Sequence, residues 1–227
     1  MTQWTPPCDV QFEVEARSGQ QNMDRDEQLL MSVIEDPSRS VMRIYRWNAP
    51  TVTLGYFQRG DDQMDSRLVH CPRVRRITGG GAILHDREWT YSCVLPATHP
   101  LRATPIRVYE VVHQAVIALL QALGVTSRLR HDSAAPSFGT GEPFLCFLRS
   151  DPRDVVVEGH KIMGSAQRRR RGTILQHGSI LMQASPLTPE VRGVRDFCPD
   201  FDEQAFVKQL PAALGAAISG DYRIFDC

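Results

Sequence analysis

The scarcities in this 227-residue sequence narrow its function before any motif is considered. It has no net charge. Lys and Arg number 26 against 26 Asp and Glu, so no overall field draws the chain to nucleic acid or to an anionic membrane. Long apolar runs are absent: nothing approaches the roughly 18–20 residues that span a bilayer. The start, Met1-Thr2-Gln3-Trp4-Thr5-Pro6-Pro7, has neither the basic flank nor the apolar stretch of a secretory signal, and a cytoplasmic location is expected. The cysteines at 8, 71, 93, 146, 198 and 227 contain no Cys-x-x-Cys pair and no Cys-His cluster with zinc-ligand spacing. They are also too sparse for a disulfide scaffold, so each is treated as a free thiol and no metal site is expected.

At 42% hydrophobic residues the chain can bury one sizeable core and is short for two, so one domain over 1–227 is the default. Asn22 is placed to cap a helix over Met23 to Ile34. Residues 41–47 and 51–55 alternate like strands and suggest an antiparallel pair. Further strands are expected over 74–77, 82–84 and 90–95. Thr104 and Pro105 open a helix whose apolar residues run from Val108 to Leu123, with Gly124 ending it. Residues 131–143, rich in Ser, Ala, Pro and Gly, suggest a surface loop that delivers Cys146 back to the body of the protein. Glu158-Gly159 suits a tight hairpin turn, 173–182 would continue the meander, and a last helix is expected over Asp202 to Ile218. Antiparallel runs with helices set apart give an α+β class: a mixed, largely antiparallel sheet with packed helices.

Three features carry chemistry: Cys146, Lys161 fifteen residues later, and the turn Gly79-Gly80-Gly81 behind Arg75-Arg76-Ile77-Thr78. A thiol attacks as its thiolate, and an ammonium within about 4–6 Å lowers an acid's pKa by roughly 1–3 units. Lysine can also donate to a carbonyl oxygen that becomes negative. Three glycines leave the backbone open to close approach by a ligand. Because they sit between strands, the turn differs from the helix-opening loops that bind nucleotides. Plainer readings stand beside these: Cys146, between Leu145 and Phe147, suits a buried hydrophobe, Lys161 an exposed hairpin lysine, and the glycines a simple tight turn. Only one of Arg75 and Arg76 can face a pocket, while His85 and His177 could each orient a polar group. Four consecutive arginines, 168–171, suit either a solvated turn or the docking of an acidic carrier protein.

The segment Arg75–Asp86, the following Thr90-Tyr91-Ser92, and the later Gly159–Gln167 and Leu175–Ser179 resemble the lipoate-protein ligases and octanoyltransferases, a family related in fold to biotin-protein ligases. Cys146-Phe147 ahead of the lysine segment is similar to the cysteine-dependent octanoyltransferase branch. The resemblance implies that Cys146 takes octanoyl from acyl carrier protein as a thioester, with Lys161 lowering the thiol's pKa. The group then passes to a lysine of a lipoyl domain or a glycine cleavage H protein. It implies substrate binding by Arg75, Arg76, Thr78, Gly79, Gly80, Gly81, His85, Gly164, Ser165, Ala166, His177 and Gly178. With no accessory domain expected, neither ATP nor a metal is required on this reading. The alternatives are a lipoyl amidotransferase, an ATP-dependent lipoate ligase, and a non-catalytic acyl or carrier-protein binder. An octanoyl chain gains roughly 5 kcal/mol on full burial, so an apolar tunnel is expected. Ile83, Leu84, Tyr91, Ile162, Met163 and Ile174 are candidates for its wall. The oligomeric state stays open, with a monomer the default.

Overall fold

The computed structural model describes residues 4–58, 65–130 and 143–227. Most of the loop expected over 131–143 lies outside them. In chain order the elements are β1 (Cys8–Phe12), α1 (Gly19–Glu35), β2 (Ser40–Tyr45), β3 (Thr51–Leu54), β4 (Arg73–Arg75), β5 (Ile83–His85) and β6 (Glu88–Leu95). Then follow α2 (Ile106–Ala122), β7 (Arg128–Leu129), β8 (Val155–Val157), β9 (His160–Arg170), β10 (Thr173–Leu181), α3 (Glu203–Ile218) and β11 (Tyr222–Asp226). Eight strands form one sheet in the order β11-β1-β2-β6-β10-β9-β8-β7, and β4-β3-β5 form a second, smaller one. The large sheet is antiparallel except for β1, which runs parallel to both β2 and β11. The α+β expectation holds.

Period-two alternation divides the large sheet between two partners. Met42, Ile44, Tyr91, Cys93, Ile174 and Ile180 pack with Val112, Val116 and Leu120 of α2 and with Phe206, Leu210 and Leu214 of α3. The intervening Val41, Val94 and Leu175 face Leu29, Leu30 and Val33 of α1. The small sheet packs beside α1 on this second face.

Several local expectations need correction. β2 and β3 do not pair with each other, since β2 lies between β1 and β6 while β3 leaves for the small sheet. Neither β1 nor β11 was anticipated, because strands of five residues leave little periodicity to read. Helix α1 begins earlier than expected and is capped by Ser18, whose side chain accepts from the Gln21 amide while Gln21 returns a bond to the Ser18 N–H. Asn22 cannot cap because it is buried inside the helix. Its Nδ2 donates to the Arg46 carbonyl and its Oδ1 accepts from Arg43. At α2, Pro105 takes the cap position without a side-chain bond, and Thr104 contributes only its carbonyl, to the Arg107 amide. Gly124, at φ +85°, ends that helix as expected, and Asp202 caps α3 by accepting from the Ala205 amide. Glu158 and Gly159, at φ +49° and +81°, form the turn between β8 and β9.

Ser18→Ala is expected to cost about 1 kcal/mol in denaturant unfolding. An unchanged midpoint would mean that the Ser18 cap contributes nothing to α1.

Candidate active site

Cys146 starts a single 3₁₀ turn, Cys146–Leu148, whose approach is tied to the glycine turn. The Ala82 amide donates to the Phe144 carbonyl, and the Cys146 amide to the Ala82 carbonyl at 2.7 Å. Lys161, near the start of β9, reaches across to the same turn. Its Nζ lies 3.3 Å from the Cys146 carbonyl oxygen and 4.0 Å from Sγ. A third partner fixes it: Asp154 Oδ1 accepts from Nζ at 2.9 Å, with both side chains buried. The other Asp154 oxygen accepts from the Asp151 amide. Burial pushes the Asp154 carboxyl up despite the ammonium beside it. Gly164 makes room for this arrangement, since a Cβ there would stand 2.5 Å from Lys161 Cε.

The glycine turn is held from inside by Arg76, which is almost wholly buried. Its Nη2 donates to the Gly79 and Gly81 carbonyls at 2.7 Å each, and Nη1 donates to the carbonyl and hydroxyl of Thr53. Burial pulls this guanidinium down to about 10, and the nearby Cys146 acts in the opposite direction. It remains cationic at neutral pH. Gly80 takes φ +92°, a conformation that side chains disfavour, and a Cβ there would meet Arg76 at 3.0 Å and Cys146 Sγ at 4.0 Å. Arg75 turns away, its Nη1 donating to the carbonyls of Gly55, Tyr56 and Gln58. The alternation of the strand thus selects Arg76 for the site.

Two cavities meet at Cys146. One is a narrow apolar space of about 470 Å³, some of it open to solvent. Met23, Tyr45, Trp47, Ile83 and Phe147 supply its apolar wall, and His85, Ala166, His177 and Gly178 border it as well. The other, about 690 Å³, is polar and includes Gly81, Tyr109, His113, Arg149, Asp151, Arg153 and Asp154. Gly80, Cys146, Lys161 and Ser165 line both. A thiol and an ammonium therefore stand where an apolar chain and a polar reactant can meet.

Of the wall residues expected from sequence, only Ile83 faces the apolar cavity. Tyr91, Ile162, Met163 and Ile174 point to the α2 face, and Leu84 packs with Val52, Leu54 and Leu145. Gly79 lines neither cavity and serves through its carbonyl. Thr78 also acts indirectly: its hydroxyl is hydrogen-bonded to His177 Nε2 at 2.5 Å. His177 Nδ1 then faces Asp26 at 3.4 Å. His85 is hydrogen-bonded at both nitrogens, to the Thr53 hydroxyl and to Glu88, and stacks on Trp47 at 3.9 Å between centroids. Both histidines thus brace the wall. Sequence reading missed Asp154, His113 and the aromatic wall of Tyr45 and Trp47. The chain has only two lysines, Lys161 and Lys208, and that rarity was a usable signal for Lys161. Among the described residues, no group of three or more His, Cys, Asp or Glu is placed to hold a metal ion. No described helix is long and apolar enough to cross a membrane.

Behind the wall lies a buried ionic cluster. Arg43 donates to both oxygens of Glu13, to Asp26 Oδ1 at 2.9 Å and to Asn22. Burial opposes ionisation of Asp26, yet the His177 hydrogen bond and the Arg43 charge together hold its carboxyl below the ordinary 3.8.

A large mixed sheet with packed helices, a lysine on one of its strands and a glycine turn beside a cysteine define the fold and site, and likeness to known proteins gives the family. The family model of the lipoyl protein ligase A/B catalytic domain matches residues 18–203, and the chain belongs to this family. It is 39% identical over 163 residues to an octanoyltransferase LipM of Oceanobacillus iheyensis, covering 70% of this chain and 58% of that protein. It is 38% identical over 168 residues to an octanoyltransferase LipM of Bacillus subtilis, covering 71% and 60%. The chain thus matches less than two thirds of the length of these relatives. Its fold is similar to a bi-partite lipoate protein ligase of Thermoplasma acidophilum, with a TM-score of 0.70 at 21% identity over 99% of this chain and 88% of that one. It is similar also to a lipoate-protein ligase A bound with ATP, with a TM-score of 0.72 at 21% identity over 99% of this chain and 90% of that one.

A carboxyl depressed in the fold contributes stability that is complete above its unfolded value, near 3.9, and that disappears as pH falls through the folded value. Asp26→Asn is therefore expected to flatten the loss of stability below about pH 4 in acid unfolding. A variant with the wild-type acid slope would remove Asp26 from that account.

Proposed function

We propose that this chain is an octanoyltransferase working through a thioester on Cys146. The observation that carries the reading is the position of Sγ, 4.0 Å from Lys161 Nζ and at the junction of an apolar and a polar cavity. In the first step the Cys146 thiolate attacks the octanoyl thioester of acyl carrier protein. A new C–S bond forms, the carrier's C–S bond breaks, and the carrier thiolate leaves and takes up a proton. In the second step a neutral lysine ε-amine of a lipoyl domain or glycine cleavage H protein attacks the acyl-enzyme. A C–N bond forms and Cys146 is released as its thiol once the amine's proton is given up.

Lys161 serves both steps as a fixed cation beside the thiolate and the developing oxyanion. The relatives named octanoyltransferase support the transfer reading, and a thioester donor is already activated, so adenylation by ATP would be redundant. The apolar wall of Met23, Trp47, Ile83 and Phe147 suits the alkyl chain. Free thiols at all six cysteines fit a reducing cytoplasm.

Incubation with octanoyl-acyl carrier protein is expected to add one octanoyl group to Cys146, labile to hydroxylamine and visible by mass spectrometry. Cys146→Ala should abolish transfer to a lipoyl domain. Transfer that survives in Cys146→Ala and requires ATP would make the chain a ligase, and an octanoylated H protein acting as the only donor would make it an amidotransferase. Lys161→Met should slow iodoacetamide alkylation of Cys146 at neutral pH by roughly 10-fold. An unchanged rate would take Lys161 out of thiol activation.

A further inference from the structure

A largely buried hydrogen-bond chain runs along the α2 face of the sheet from Pro105 to the polar cavity, and backbone carbonyls anchor both of its ends. At one end the Pro105 carbonyl can only accept, so the Gln167 group 2.8 Å from it is the amide nitrogen. That nitrogen also donates to Gln176 Oε1, which leaves the Gln176 nitrogen to donate to the Tyr91 hydroxyl at 2.7 Å. At the other end His113 Nδ1 lies 2.6 Å from the Arg153 carbonyl and must carry a proton there. Burial holds this imidazole down to about 4, so at neutral pH Nε2 is a bare acceptor. The two ends meet at Ser165. Its hydroxyl lies 2.6 Å from His113 Nε2 and 2.7 Å from the Tyr91 oxygen.

Only one assignment of protons satisfies every link. Ser165 gives its single proton to His113, and Tyr91 gives its own to Ser165. A hydroxyl oxygen has two lone pairs, so one remains on Ser165 Oγ after Tyr91 is bonded. Ser165 is partly exposed, lines the polar cavity beside His113, and shares the junction with Cys146 and Lys161. The network leaves it able to accept and unable to donate. A carbonyl or oxyanion gains nothing from such a group, whereas an N–H donor does.

We propose that Ser165, fixed as an obligate acceptor by the positioning residues His113 and Tyr91, receives an N–H of the incoming lysine amine and turns its lone pair toward the acyl carbon. This rests on the octanoyltransferase reading above and assigns these residues to the second step alone. The bonds exchanged are those already given: C–N forms, C–S breaks, and the amine's proton ends on the released thiol or in solvent. A weakly basic His113 is a poor proton sink, so its part is to hold the Ser165 proton in place.

The test separates the two half-reactions in single turnover, followed by mass spectrometry. Octanoyl-acyl carrier protein loads Cys146, the carrier is removed, and a purified lipoyl domain is then added. Ser165→Ala and His113→Phe are expected to load within about threefold of wild type and to transfer roughly 10-fold more slowly. His113→Gln, whose side-chain oxygen can stand near the position of Nε2, should restore much of the transfer rate. Loading and transfer slowed equally, or transfer at the wild-type rate in Ser165→Ala, would overturn the assignment. If His113→Phe does not fold, the Ser165→Ala comparison decides alone. Failure of the wild-type protein to load at Cys146 would instead defeat the octanoyltransferase reading itself.

Discussion

The site is organised around one ammonium. Lys161 Nζ is shared by the Asp154 carboxylate at 2.9 Å, the Cys146 carbonyl at 3.3 Å and the Cys146 thiol at 4.0 Å. Because the lysine sits on a sheet strand while the cysteine sits on a short turn, this contact ties the turn to the large sheet. Asp154 has a double effect. It fixes the ammonium in place, and it also offsets part of the charge that Cys146 would otherwise feel. An arginine would not serve equally well, since its planar fork prefers paired carboxylate oxygens, while an ammonium can divide its three protons among unlike partners. Almost every other cation in the chain is an arginine, which makes the lysine here a specific choice.

Two buried guanidiniums frame that ammonium in different ways. Arg43 faces Glu13 and Asp26 and is paired by charge, linking α1 to β2 behind the apolar cavity. Arg76 has carbonyls and a hydroxyl as its hydrogen-bond partners, so it works as a template that shapes the glycine turn around itself. Desolvation makes such a cation costly, and the expense is tolerable only where several acceptors converge. The glycine turn supplies them. Its form and the presence of Arg76 are therefore one structural decision, which brings Gly80 close to Cys146.

Much of the strand framework that carries the site was legible because its alternation is regular and its turns use glycine: β6 and β10 stand close to where the sequence places them, while β9 runs on through Arg170 and takes up three of the four arginines that suited a turn. The Cys146–Lys161 pairing was legible as well, since the hairpin at Glu158-Gly159 returns β9 toward the cysteine. The helix start at Ser18 was missed because Asn22 has the chemistry of a cap, and nothing local reveals that Arg43 claims its side chain. Most of the expected tunnel wall fell on the opposite face for a related reason. Apolar residues on both faces of a buried strand look alike in sequence, and only the packing of α2 shows which face Tyr91 and Ile174 serve. His113 gives no sign in its helix, where it occupies an ordinary core position. Its importance comes from a partner 52 residues away.

The central claim is that Cys146 carries an alkyl chain into the apolar cavity while its carbonyl stays within reach of Lys161. A crystal structure of the protein loaded with octanoyl at Cys146 tests this most directly. The account predicts the chain lying against Met23, Trp47 and Ile83, with Lys161 Nζ near the thioester oxygen. A chain directed into the polar cavity or out to solvent, with Lys161 turned from the thioester, would contradict it.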